Sequence, residues 1–307
     1  MDDFDRYLAR QAATVEAFLD RHLPAEDSYP PSIHRAIRYS LFAGGKRLRP
    51  VLTLAASEAV GGRADDALPA AAALEMIHTY SLIHDDLPAM DNDRLRRGKP
   101  TSHVVFGEAV AILAGDALLT HAFEMLATTC GENDSVELAN PANPAKKDRR
   151  LRAIAVLAKA AGIDGMIGGQ VIDLESEGRS VEPATLDLIH RKKTGALMGA
   201  AAHLGALLGG GSEEEIERLA RYGRELGLAF QIVDDLLDVE GDPATLGKSA
   251  GKDRKAGKAT YPGVHGLERA RLRAQELAEK AIELVAPLGP KAEPLARLAE
   301  RIVDRNS

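Results

Sequence analysis

Leu228–Asp242 reads LAFQIVDDLLDVEGD. Its polar side chains Gln231, Asp234, Asp235 and Asp238 fall at i, i+3, i+4 and i+7, one stripe of an α-helix. From Leu226 to Val239 the helix is otherwise made of Leu226, Leu228, Phe230, Ile232, Val233, Leu236, Leu237 and Val239, with the small Gly227 and Ala229. A helix that is greasy around most of its circumference and carries one narrow carboxylate stripe is expected to turn that stripe to an interior cavity. Buried carboxylates need a metal or a cationic partner. The stretch therefore reads as a metal-holding helix.

Ser81–Lys99, SLIHDDLPAMDNDRLRRGK, is a second acidic run. Asp85, Asp86, Asp91 and Asp93 precede Arg96 and Arg97. Carboxylates this close repel one another unless cations intervene. Hard oxygen donors suit Mg²⁺ or Mn²⁺, and arginine forks match phosphate. Read alone, the run is equally a solvated acidic loop. Glu75, His78, Leu82 and Asp85 share one helical face. Asp91, six residues past Asp85, is off it. Pro88 is expected to end the helix, so that the chain loops back and Asp85 and Asp91 point into one space. His78, in phase with Asp85, is a better candidate than His84. The economical arrangement sets the two acidic sites on opposing helices across one cavity, with Mg²⁺ between them.

The rest of the chain is written in helix signals. Ala and Leu abound, aromatics are 4% of the 307 residues, and alternating β-branched runs are scarce. Helices are expected over Phe4–His22, from an Ser32 N-cap through Phe42, Leu48–Val60, Asp65 to about Leu87, and in a pair punctuated by Gly107 and Gly115. Others are expected over Leu151–Gly162, from Gly165 past Asp173, from Pro183, over Glu214–Glu240, Leu267–Val285 and Pro290–Asp304. Residues 131–150 read as an exposed polar loop and residues 241–262 as a Gly/Lys-rich one. No composition shift marks a boundary, so residues 1–307 read as a single all-α domain, with no strand to carry a nucleotide fold. The net charge of −7 argues against a nucleic-acid partner. The lone Cys130 excludes an internal disulfide and fits a reducing, cytoplasmic setting. The N-terminus MDDFDRYLARQ lacks the apolar core of a signal peptide. The most apolar run, Val104–Phe123, carries Glu108 and Asp116 and reads as a buried helix pair, so no membrane span is expected.

Cations gather in four segments: Lys46-Arg47-Leu48-Arg49, Arg96-Arg97-Gly98-Lys99, His190–Gly195 and Lys248–Lys258. Each lies at a helix end or in a Gly-rich loop, where backbone N–H groups can approach an anion. With two metal sites they imply more than one phosphate group, in the form of two diphosphates.

GGKRLRP, EMIHTYSLIHDDLPAMDNDRLRRGKPTSH, GDALLTHAFE, GGQVIDL, HRKKTGAL, FQIVDDLLDVEGDPATLGKSAGKD and GKATYP occur in that order along the chain. Together they resemble the trans-prenyltransferases (isoprenyl diphosphate synthases), most closely the bacterial type of farnesyl diphosphate synthase. The resemblance implies an all-helical bundle of roughly ten or more helices around a deep apolar cavity, usually homodimeric and needing about three Mg²⁺. It assigns two metals to Asp85 and Asp91 with Asp86 nearby, and a third to Asp234 with Asp235 and Asp238. Arg96, Lys193, Thr194, Gln231, Lys248 and Lys258 would hold an allylic diphosphate, with Lys193 and Lys258 closest to the chemistry. Lys46, Arg49, His78 and Arg97 would hold isopentenyl diphosphate. Tyr80 and Ser81, just before the first aspartates, would floor the tail pocket, and the Tyr80 ring favours a fifteen-carbon product. The alternatives are a geranylgeranyl or geranyl diphosphate synthase, a terpene cyclase, a non-catalytic partner subunit and a Mg²⁺-dependent phosphohydrolase. Both aspartate motifs and the basic segments favour the first reading.

Overall fold

A computed structural model describes residues 2–128, 144–240 and 258–304. These fall into two compact units: Met1–Leu54 with Asp65–Ile154, and Ala55–Ala64 with Ala155–Ser307. Both are helical.

The first unit opens with α1 (Asp3–His22). The Asp5 amide donates to Asp2 Oδ1 at 2.7 Å and the Asp2 amide to Asp5 Oδ2 at 3.2 Å, a reciprocal cap. In α2 (Pro31–Leu41) the start is Pro31 itself, so Ser32 lies inside the helix and caps nothing; a proline at the first position needs no N–H partner. Helix α3 (Leu48–Ala59) leads to α4 (Ala64–Asp85). Helix α4 is buried around nearly its whole circumference, from Ala67 to Ile83, as its apolar composition dictates. Leu95–Arg96 (β1) pairs antiparallel with Lys99–Pro100 (β2). This hairpin was not expected. Arg97 (φ 53°) and Gly98 (φ 75°) form its turn, and two positive φ values are what a two-residue turn matching the strand twist requires.

Next come α5 (Ser102–Phe106) and α6 (Glu108–Thr128). Gly107 separates them, whereas Gly115 sits inside α6. A Cβ on Gly115 would land on the His84 imidazole, so close packing explains this glycine. By length and composition α6 is the one described helix that could cross a bilayer. It carries Glu108 and Asp116, it packs against α2 and α5, and its buried residues include Ala111, Ala114, Leu118 and Ala122.

Helix α7 (Pro144–Ala161) takes in the last residues of the expected 131–150 loop; residues 131–143 lie outside the described part. The second unit continues with α8 (Met166–Ser176), α9 (Pro183–His190), a π-turn over Arg191–Gly195, α10 (Ala196–Leu208) and α11 (Glu213–Glu240). The Ser212 amide and hydroxyl both donate to the Glu215 carboxylate, at 2.7 and 2.9 Å, capping α11. A short helix, α12 (Tyr261–His265), stands at the end of the expected 241–262 loop. Helix α13 (Leu267–Val285) packs along α11. A 3₁₀ stretch (Ala286–Ala292) precedes α14 (Glu293–Val303). The buried Tyr222 hydroxyl donates to the Leu295 carbonyl at 2.7 Å, tying α14 to α11.

Candidate active site

In the first unit the site grows from the end of α4. Beyond Asp85 the chain turns at Leu87–Met90, and the Asp91 amide donates to the Asp85 carbonyl at 2.8 Å. The backbone thus returns to the helix end, as Pro88 leads one to expect. Asn92, at φ 51°, completes the turn.

Asp86 has a different place. It is 3% exposed, and its carboxylate takes Arg96 Nε at 2.9 Å to each oxygen and Nη2 at 2.7 Å. The hairpin delivers Arg96 to it. Burial opposes the charge on Arg96, but Asp86, with Asp85 and Asp93, outweighs it and raises the guanidinium pKa. Both oxygens of Asp86 are thereby engaged by Arg96.

The hairpin turn puts Arg97 over the Gly44-Gly45 backbone. Arg97 Nη1 donates to the Gly44 carbonyl. A Cβ on Gly45 would lie 2.6 Å from the guanidinium carbon, so only glycine leaves room there. Next along the loop, Arg47 is buried. It donates to Leu41 O at 2.7 Å, to Glu75 Oε1 at 2.5 Å and to Glu16 Oε1 at 2.9–3.0 Å. Lys46 is exposed and Arg49 half-buried. Burial and then the guanidinium groups of Arg49, Arg97, Arg96 and Arg47 hold His78 well below the usual histidine range. The cations that disfavour a proton on His78 favour an anion in the same place.

Tyr80 is 5% exposed and stands edge-on to His84, ring centroids 5.6 Å apart. Burial and the nearby Asp85 push its phenol up to about 12. The Ser81 hydroxyl is turned back onto the His78 carbonyl at 2.8 Å.

In the second unit the π-turn carries the basic residues. Lys193 Nζ lies 2.8 Å from Asp173 Oδ2 of α8. The Thr194 hydroxyl donates to Gln231 Oε1 at 2.8 Å, and Gln231 Nε2 donates to Asp235 Oδ1 at 3.1 Å. Asp235 Oδ2 accepts the Tyr261 amide at 2.7 Å and lies 3.4 Å from His190 Nε2. Asp235 is therefore the pivot joining α11, the π-turn and α12. Burial pulls His190 down to about 4. Asp234 and Asp238 are half-buried on the same helix. Lys258 Nζ stands 3.8 Å from Glu177 Oε1. Lys248 lies outside the described residues.

Among the described residues no three Asp, Glu, His or Cys groups gather into a ready-made metal cage. The donors nonetheless fit Mg²⁺. This ion takes one or two carboxylates and completes its octahedron with water and phosphate oxygens. Asp85 and Asp91, brought together by the turn beside arginines, supply that kind of set. Residues with no role assigned from the sequence also enter: Arg47, Glu75, Asp173, His190 and Tyr261. Glu75 and Asp173 had a signal, being carboxylates inside apolar helical stretches, which demand partners.

A family model described as "Polyprenyl synthetase" matches residues 30–287. A geranylgeranyl diphosphate synthase from Cyanophora paradoxa is 50% identical over 98% of this chain and 96% of its own. A heterodimeric geranylgeranyl pyrophosphate synthase large subunit from Arabidopsis thaliana is 50% identical over 99% of this chain and 80% of its own. The crystal structure of an FPP/GFPP synthase from Zymomonas mobilis superimposes with a TM-score of 0.83 at 38% identity, covering 98% of this chain and 99% of that one.

Proposed function

The chain belongs to the polyprenyl synthetase family, and on that premise we propose that it condenses isopentenyl diphosphate with an allylic diphosphate, releasing diphosphate. The observation that supports this reading is the group of cations, Arg49 and Arg97 among them, whose charge bears on the buried His78, in the same unit as the turn that returns Asp91 to Asp85. A second cationic centre, Lys193 and Lys258, stands in the other unit. Two anion centres suit two diphosphates.

In this reading Asp85, Asp91, Asp234 and Asp238 hold about three Mg²⁺, while Asp86 and Asp235 fix Arg96 and Gln231. Bound Mg²⁺ supplies Lewis-acid neutralisation of the leaving group's charge. Arg96, Lys193, Lys258, Thr194 and Gln231 bind and orient the allylic diphosphate, and Lys248 joins them. The allylic C–O bond breaks and the electron pair leaves with diphosphate, whose charge these cations stabilise. Lys46, Arg49, Arg97 and His78 hold isopentenyl diphosphate so that its double bond meets the allylic cation. A C–C bond forms, and a proton passes to the departed diphosphate. The proposal treats residues 1–307 as one catalytic domain of a cytoplasmic homodimer.

For product length we take twenty carbons, because relatives at 50% identity are named geranylgeranyl diphosphate synthases. Fifteen carbons is a second reading, favoured by the buried Tyr80 ring, since an overlong tail would clash with a filled floor. The test is to incubate the protein with Mg²⁺, isopentenyl diphosphate and, separately, dimethylallyl, geranyl or farnesyl diphosphate. The alcohols released by phosphatase are then sized by mass spectrometry. Geranylgeraniol from all three starters is the expected result. Farnesol alone, with farnesyl diphosphate left unextended, transfers the conclusion to the second reading. A cyclic hydrocarbon formed without isopentenyl diphosphate, or no product at all, would sink the proposal.

A further inference from the structure

Arg47 is a cation that a substrate cannot touch. It is 3% exposed, and its guanidinium is taken up by Glu75, Glu16 and the Leu41 carbonyl. Its neighbours are differently placed. Lys46, one residue before it, is exposed, and Arg49, two residues after it, is half-buried. Arg47 also stands at φ 48°, a conformation that a non-glycine residue keeps only where its surroundings over-determine it. The surroundings do so from two sides. Beneath the loop, Arg47 is clamped to α1 and α4. Above it, Arg97 lies over Gly45 and bonds to Gly44.

Glu75 connects this clamp to the rest of the anion site. It is 2% exposed and lies one helical turn before His78, on the same face of α4. It is also the carboxylate whose field supports the charge on Arg97 against burial and the repulsion of Arg47 and Arg96. A single buried carboxylate thus faces two of the four crowded guanidinium groups from below. We propose that the Arg47–Glu75 pair is a positioning device: it sets the Gly44–Arg49 loop and Arg97 so that Lys46, Arg49 and Arg97 converge on one diphosphate. The proposal rests on the prenyltransfer reading for the identity of that ligand, isopentenyl diphosphate.

A purely structural pair would lower stability and leave the relative affinity for the two substrates untouched. A positioning pair acts on one substrate. The test uses Glu75→Gln, which keeps the shape and removes the charge, and Arg47→Lys, which keeps the charge and removes the fork. For Glu75→Gln the expected result is a rise of about ten-fold in KM for isopentenyl diphosphate, with KM for the allylic diphosphate within two-fold of wild type. Arg47→Lys shifts the same parameter in the same direction. Glu16→Gln, which removes the half-exposed arm, changes it less than either. Calorimetric titration of wild type and variants with isopentenyl diphosphate, without metal or allylic substrate, reads the same loss independently of turnover. If both KM values move together, or neither moves while only the melting temperature falls, the proposal is overturned. Wild type that binds isopentenyl diphosphate more tightly than Glu75→Gln yet forms no product would overturn the prenyltransfer reading and support the clamp. Wild type that turns over, with variants that bind as it does, would do the reverse.

Discussion

At the scale of single residues, adjacent aspartates have different partners. Asp85 is the last residue of α4 and Asp86 the first beyond it, so their side chains point different ways, and the hairpin delivers Arg96 to Asp86. Asp86→Asn would take from the guanidinium its main counter-charge, leaving only the weaker support of Asp93, 4.0 Å away, and Asp85. Losing one partner of a buried pair costs about 3–5 kcal/mol, and Arg96 keeps some solvent contact, so about 3 kcal/mol is expected. Asp91→Asn should cost under about 1 kcal/mol yet abolish most turnover. Chemical denaturation of both variants alongside product assays checks the contrast, and equal stability losses would refute it. His190 gives a pH signature. Its folded pKa is about 4 against an ordinary 6.5, so between those values the unfolded chain takes up a proton that the native chain refuses. The stabilisation is complete above about pH 6.5 and is lost as pH falls toward 4, by up to about 3 kcal/mol. His190→Gln should flatten the stability profile over that window relative to wild type. Parallel profiles would show that His190 titrates normally in the folded chain.

At the scale of elements, periodicity explains why helices were legible and the hairpin was not. The i, i+3, i+4, i+7 stripe of α11 and the apolar run of α4 specify helices from local pattern alone. The β1–β2 ladder has two residues on each strand, too few for alternation to register, and its turn depends on the positive φ of an arginine. The partners of the site residues were hidden for the same reason. Asp235 lies on the expected stripe, but it reaches Tyr261, 26 residues away, directly and the π-turn through Gln231, and helical phase does not reveal such contacts. Gly115 shows how a local signal can mislead. In sequence it reads as a helix break; in the fold it is a notch for His84, whose imidazole meets the Ile112 carbonyl at 3.0 Å. Gly115→Ala would gain helix propensity but displace the imidazole, for a net loss of about 1–3 kcal/mol. His84→Ala in the same background should recover most of that loss. A Gly115→Ala variant as stable as wild type in a denaturant titration would show that the notch can relax.

At the scale of the whole molecule, what the sequence displayed was order: seven motifs in family sequence across nearly the entire chain. Order identifies a family because every motif must serve one chemistry. It says less about product length or assembly, which depend on volumes and surfaces. A feature of the surface bears on assembly. Val104 and Val105 of α5 and Ile112 and Leu113 of α6 are 40, 46, 43 and 58% exposed. Single apolar side chains on a surface need no explanation, but several on two packed helices are what an interaction face would present. A second copy is the partner the proposed homodimer supplies, and a self-complementary face buries these residues twice over for each interface formed. Light scattering on the purified protein should therefore give twice the 32.8 kDa of one chain. Leu113→Glu with Val105→Glu would place paired like charges in that interface, where they are desolvated and repel, and should return a single-chain mass with the helical circular dichroism retained. A wild-type mass of one chain at micromolar concentration would remove this face from the assembly, as would a dimer unaffected by both charges.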